Sequence, residues 1–137
     1  MGNNRTLIAI VDDEEPVRVA LRRLLRSASL DVETFSSGTE FIESLNSRYP
    51  DCVILDLNMP HFNGFDVQAR LAETGIRLPI VVLTGNDTSE ARERAMSGGA
   101  MIFLRKPVED ERLLEAIFAA MASGPDRIPP AGSGTPV

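Results

Sequence analysis

The sequence has 137 residues, 43% hydrophobic and 25% charged, and a formal net charge of −6. These values fit one globular domain with an ordinary core, and the acidic balance argues against nonspecific affinity for nucleic acid or an anionic membrane surface. The single cysteine, Cys52, excludes a disulfide framework, no apolar run approaches the roughly 18 residues of a membrane helix, and MGNNRT precedes no signal-type apolar core, so a soluble, cytoplasmic protein is expected.

In chain order, residues 6–11 (TLIAIV) form a nearly continuous apolar run that stops at Asp12-Asp13, which predicts a first strand covered on both faces. Val17, Ala20, Leu21, Leu24, Leu25 and Ala28 then recur at the helical period, with Arg18, Arg22, Arg23 and Arg26 opposite. Residues 30–35 alternate apolar and polar, as a half-exposed edge strand does. Phe41, Ile42 and Leu45 mark a shorter second helix, and residues 51–55 form an apolar third strand that runs into Asp56. Phe65, Val67, Ala69, Leu71 and Ala72 lie in a third helix that stops near Gly75, a C-terminal cap. Residues 79–83 form a fourth strand ending at Thr84-Gly85. Thr88-Ser89-Glu90 starts a fourth helix and Gly98-Gly99 ends it, the paired glycines being expected to loosen the following loop. Residues 100–104 form a fifth strand ending at Arg105-Lys106-Pro107. Leu113, Leu114, Ile117, Phe118 and Met121 define a last amphipathic helix beginning near Glu109. From Gly124 onward, GPDRIPPAGSGTPV reads as a flexible Pro/Gly-rich tail or truncated linker, leaving residues 1–123 as the domain.

This alternation predicts an α/β fold with a doubly wound parallel sheet. An edge strand placed second in sequence suits the order 2-1-3-4-5, the flavodoxin-like (βα)5 arrangement. Its ligand site lies beyond the carboxyl ends of the strands, where strand order reverses. Strands one and three flank that point and end in Asp12, Asp13 and Asp56; strand four adds Thr84 and strand five Lys106. Taken alone, the aspartates and Thr84 also fit an ordinary turn, cap or helix start, and Lys106 a solvated charge. Together they suit phosphoryl transfer to a carboxylate. An aspartate can be the nucleophile, Mg²⁺ can neutralise clustered carboxylates while bridging to phosphate, and a lysine can add a second positive charge. Such catalysis is mostly positioning and charge neutralisation.

The motifs VDDE at 11–14, ILDLNMP at 54–60, LTG at 83–85 and FLRKP at 103–107 resemble the receiver domain of bacterial two-component response regulators. The resemblance covers roughly residues 6–122. The stretches HFNGFDVQARLAETGIRLPIVVLTG and KPVEDERLLEAI are most similar to receivers that precede a LuxR-type helix-turn-helix output domain. The resemblance implies that Asp56 is the phosphoacceptor. Asp13, Asp56 and the backbone carbonyl of Asn58 would hold Mg²⁺ (or Mn²⁺), with Asp12 acting largely through metal-bound water. Lys106 would contact the phosphoryl group, Thr84 would swing toward it, and Phe103 would turn inward as the switch aromatic. Plain core packing is the ordinary alternative for Phe103. The Lys106–Pro107 bond would be cis.

The resemblance implies no turnover of a separate substrate, only Mg²⁺-dependent self-phosphorylation and self-dephosphorylation. The phosphodonor would be a sensor histidine kinase or phosphotransfer protein docking on the first helix and nearby loops, at Val17, Arg18, Leu21, Pro107 and Val108. Phosphorylation would alter the face made by the fourth helix, fifth strand and fifth helix. That face could form a homodimer, with Arg92, Glu93, Arg105, Asp110 and Arg112 as charge-pairing candidates. The expected output is transcription or a partner protein; this chain itself would bind neither nucleic acid nor membrane.

Two rival readings remain at this stage. A phosphatase or phosphomutase with an aspartate nucleophile uses a second aspartate two residues on, where this chain has Asn58, and no cap domain is evident. A flavodoxin-like FMN carrier needs a Ser/Thr/Gly-rich phosphate loop after strand one, where Asp12-Asp13-Glu14-Glu15 would repel phosphate. Asn58 and Asn86 are expected to flank the phosphate's solvent path and tune hydrolysis. Pro60 and Gly64 shape the loop after strand three, Gly64 with an expected positive φ. His61 is a loop residue and Cys52 a core residue.

Overall fold

A computed structural model describes residues 5–123. Residues 124–137, read above as tail or linker, lie outside the described residues. The elements are β1 (Leu7–Val11), α1 (Glu15–Ser27), β2 (Asp31–Phe35), α2 (Gly38–Ser44), β3 (Cys52–Leu55), α3 (Gly64–Thr74), β4 (Ile80–Thr84), α4 (Ser89–Ser97), β5 (Ile102–Arg105) and α5 (Asp110–Ala122). All strand pairs are parallel, in the order β2-β1-β3-β4-β5. This is the predicted doubly wound sheet, with β2 at one edge.

The continuous apolar runs reflect two buried faces. Ala9, Val11, Val53, Leu55, Val82 and Phe103 pack against α2, α3 and α4 on one side, through residues such as Phe41, Val67 and Ala95. The alternate residues Ile8, Ile10, Cys52, Ile54, Val81 and Leu104 pack against α1 and α5, through Leu25, Leu113 and Ile117. Every residue of β1, β3 and β4 is buried, whereas Glu33 of edge strand β2 is exposed. Burial pushes the Cys52 thiol up to about 12, so the residue is an unreactive part of the core.

Local chemistry sets the helix ends. Pro16 falls in the first turn of α1, where a missing N–H costs nothing. Asn63 and Asp66 form a reciprocal cap on α3: Asn63 Oδ1 accepts from Asp66 N–H at 2.9 Å and Asp66 Oδ2 from Asn63 N–H at 2.8 Å. Gly75 closes α3 in the left-handed region at φ 73°. Thr88 caps α4, as its sequence signal predicts.

Three expectations need correction. Ala20 falls on the expected apolar stripe of α1 but is exposed, because the stripe there narrows to Leu21 and Leu25. Phe118 falls on the expected apolar face of α5 but is 48% exposed; Ile117 and Ala120 already fill the buried side. Gly64 does not have a positive φ; among the described residues the left-handed glycines are Gly75 and Gly99. Gly64 is needed instead for close approach: a Cβ there would stand 2.6 Å from the Asp56 carbonyl oxygen. The left-handed residue of that loop is His61, at φ 67°. No helix among the described residues is long and apolar enough to cross a membrane.

Candidate functional site

The register builds the site. Val11 is paired with Leu55, so Asp12 and Asp56 leave the sheet side by side. The ladder continues one residue further, Asp56 N–H donating to Val11 O at 3.0 Å and Asp12 N–H to Phe35 O at 3.1 Å. Thr84 is paired with Arg105, and Lys106 N–H donates to Thr84 O at 2.9 Å. The next peptide bond, Lys106–Pro107, is cis as expected. The ends of β1, β3, β4 and β5 thus carry the polar groups onto one rim.

Oxygen atoms of Asp12, Asp13 and Asp56 lie within 4.8 Å of one another. Asp12 and Asp56 are buried, at 3% and 4% exposure, while Asp13 is exposed. Lys106 Nζ bridges the group, 2.9 Å from Asp12 Oδ2, 3.1 Å from Glu14 Oε1 and 3.4 Å from Asp56 Oδ2. The other carboxylate oxygens accept backbone donors: Asp12 Oδ1 from Glu14 N–H at 2.9 Å, Asp56 Oδ1 from Asn58 N–H at 3.2 Å.

Burial raises the Asp12 carboxyl above its ordinary value, and the charge of Asp56 adds to this; the Glu14 N–H and Lys106 oppose it without cancelling it. Burial alone would lower the Lys106 ammonium, but its hydrogen bond to Asp12 and the charges of Asp56 and Asp12 hold it above the ordinary lysine range. The site therefore sets the carboxylates of Asp12, Asp13, Asp56 and Glu14 against one firmly charged lysine. An all-oxygen donor set with excess negative charge, open on the Asp13 side, suits a hard divalent cation such as Mg²⁺.

Thr84 is fully buried, and its hydroxyl oxygen accepts Asn86 N–H at 3.2 Å. Among the described residues it makes no hydrogen bond to Asp56 or to the Lys106 side chain. Phe103 is buried at 7% exposure on the α4 side of the sheet. Asn58 is exposed and Asn86 half-buried.

Several contacts escaped sequence reasoning. Glu14 holds Lys106, 92 residues away. Arg18 Nη1 donates to the Asp12 carbonyl at 2.9 Å, fixing the turn that presents Asp12 and Asp13. Gln68, at 4% exposure, donates from Nε2 to Ala95 O at 2.8 Å and ties α3 to α4. The VDDE motif contains Glu14, but its partner depends on the fold, and neither Arg18 nor Gln68 carries a local signal.

Residues 8–118 match the family model described as the response regulator receiver domain. The response regulator protein TodT of Pseudomonas putida is 39% identical over 127 residues, covering 93% of this chain and 56% of TodT. The transcriptional regulatory protein TdiR of Thauera aromatica is 40% identical over 119 residues, covering 87% of this chain and 52% of TdiR. The chain therefore spans about half the length of these curated relatives. A crystal structure of a response regulator receiver protein from Burkholderia phymatum has a TM-score of 0.77 and 40% identity, covering 88% of this chain and 99% of that one.

Proposed function

Since the chain belongs to the response regulator receiver family of two-component signal transduction, we propose that Asp56 is the carboxylate on which it accepts a phosphoryl group. Phosphorylation-activated switching is the general function of that family, whose receivers take their phosphoryl groups from histidine kinases or small phosphodonors and bind Mg²⁺ at an acidic pocket. One observation supports the assignment above all. Asp56 follows β3 inside the cluster with Asp12 and Asp13, and its Oδ2 is held only loosely by Lys106 Nζ at 3.4 Å, whereas Asp12 Oδ2 is bonded to that lysine at 2.9 Å.

In the proposed reaction an Asp56 oxygen attacks phosphorus. A new O–P bond forms as the bond to the donor breaks: P–N in a kinase phosphohistidine, P–O in acetyl phosphate. The leaving imidazole or acetate departs with the bonding electrons. Asp12, Asp13, Asp56 and the Asn58 carbonyl would hold Mg²⁺ (or Mn²⁺), which when bound neutralises charge on the carboxylates and the phosphoryl oxygens. Lys106, held beside Asp56, supplies the protein's own positive charge to the transferred group. Thr84 then turns its hydroxyl to the phosphate, and Asn58 and Asn86 border the path of the hydrolytic water. The chain turns over no separate substrate.

The start of α1 and the Pro107–Val108 turn form the proposed kinase face. Leu21 belongs to the core, but Val17 is half-buried and Val19 is 37% exposed. The proposed output face comprises α4, β5 and α5, where Met96 and Phe118 are exposed large apolar residues that a second copy could cover. Transcription is the proposed output, through regions beyond a receiver domain of residues 1–123, and the cytoplasm the proposed location.

Incubation with Mg²⁺ and acetyl phosphate should add one phosphate mass to the wild type and none to Asp56→Asn. Equal incorporation in the variant would refute the assignment. The cation can be tested separately. Mg²⁺ at ten times its Kd should stabilise the wild type by about 1.4 kcal/mol, visible as a rise of several degrees in Tm. Asp13→Asn should lose most of that rise, since Asp13 is the exposed member of the cluster, on the side open to a cation.

A further inference from the structure

Helix α4 is attached by little apolar surface. Only Ala91 and Ala95 of its residues are buried, and each adds a single methyl to the apolar contact. By comparison α1 buries Leu21 and Leu25, and α5 buries Leu113 and Ile117. Polar contacts complete the docking of α4. Gln68 holds the Ala95 carbonyl, and the Arg94 guanidinium lies 4.1 Å from the Phe65 ring centroid. Arg92 makes the most consequential contact: its guanidinium lies 4.7 Å from the centroid of Phe103. Its Nη2 also bonds Asp87 Oδ1 at 3.1 Å, in the turn that follows Thr84. One side chain thus joins the β4–α4 turn, helix α4 and the Phe103 ring.

The ring already points inward, packed in the cluster that contains Ala91 and Ala95. An outward swing would break the cation–π contact and leave space that two alanines cannot fill. We infer that Arg92 is a positioning residue of the switch: anchored by Asp87, its guanidinium holds the Phe103 ring inward and lowers the conformational cost of accepting a phosphoryl group. The inference rests on the reading of Asp56, Thr84 and Phe103 given above. Apparent affinity falls with the fraction of chain in the competent state, so removing Arg92 weakens binding of a phosphoryl mimic.

Beryllofluoride affinity in Mg²⁺, measured by calorimetry on the full chain, tests this. Arg92→Ala should weaken binding about five-fold, the change that corresponds to a partly exposed cation–π contact. Arg92→Lys should recover part of the loss, and Asp87→Ala should produce a smaller loss in the same direction. In a Phe103→Leu background, which lacks the π face, Arg92→Ala should leave affinity nearly unchanged. A role confined to the stability of α4 would persist in that background. Unchanged or tighter binding by Arg92→Ala overturns the inference, as does a loss that survives Phe103→Leu. If the wild type fails to bind beryllofluoride, or Asp56→Asn binds it equally, the reading of the site falls and takes the inference with it.

Discussion

Lys106→Met is expected to slow phosphoryl incorporation from acetyl phosphate roughly 10²–10³-fold, the scale for removing one preorganised charge-stabilising group. Methionine keeps much of the side-chain volume and removes the charge together with its N–H donors, so the rate, followed by intact mass, reports electrostatics and hydrogen bonding rather than packing. The same substitution exposes the repulsion that the lysine offsets. Asp12 and Asp56 are both buried, and Lys106 Nζ is the cation that bonds them. The Asp12 carboxyl already lies above its ordinary value because of burial and Asp56. Its ionised form therefore costs stability at neutral pH, and that cost is relieved as pH falls through the raised value. Without Lys106 the cost grows. Metal-free Lys106→Met should melt below the wild type at pH 7, and the gap should narrow on acidification. A gap that widens toward acid would contradict this electrostatic account.

Gly64→Ala should destabilise the chain by about 3 kcal/mol, the upper end of the usual range for overpacking. The added Cβ would meet the Asp56 carbonyl oxygen at 2.6 Å and Leu57 Cα at 2.8 Å. Both are backbone atoms, so no side-chain rotation relieves the clash. The strand end that presents Asp56 must move instead, or α3 must withdraw from it. Phosphoryl incorporation should fall along with stability, because the carboxylate shifts relative to Lys106. Gly85→Ala is the control: a Cβ there has no neighbour within 4 Å and should change stability by less than about 0.5 kcal/mol. Equal denaturation midpoints for Gly64→Ala and wild type would mean that the loop has room not visible in this packing.

The different fates of these residues show what sequence can carry. The strands were legible because three of them are buried on both faces, and only unbroken apolar runs serve that position. The rim was legible because each run stops abruptly at a polar residue and the strand order then dictates which stops meet. Thr88 and Gly75 announced helix ends by local chemistry alone. Gly64 was recognised as special for the wrong reason: a glycine needed for close approach and one needed for a left-handed φ look identical in sequence. Phe118 and Ala20 lie at the margins of their helical stripes, where one residue is 100° from the next and burial depends on neighbouring helices. Glu14, Arg18, Gln68 and Arg92 gain their roles only from partners brought close by folding. Glu14 and Lys106, or Gln68 and Ala95, have no relation along the chain that periodicity or spacing could reveal.

The central claim is that Asp56, among three clustered carboxylates, is the one that carries the phosphoryl group. Borohydride reduction of the phosphorylated chain, followed by peptide sequencing, tests it most directly, because an acyl phosphate is reduced to an alcohol and an unmodified carboxylate is not. The account predicts homoserine at position 56 alone, and only when Mg²⁺ and the phosphodonor are both present. Reduction at position 12 or 13, or at 56 without the donor, would contradict it.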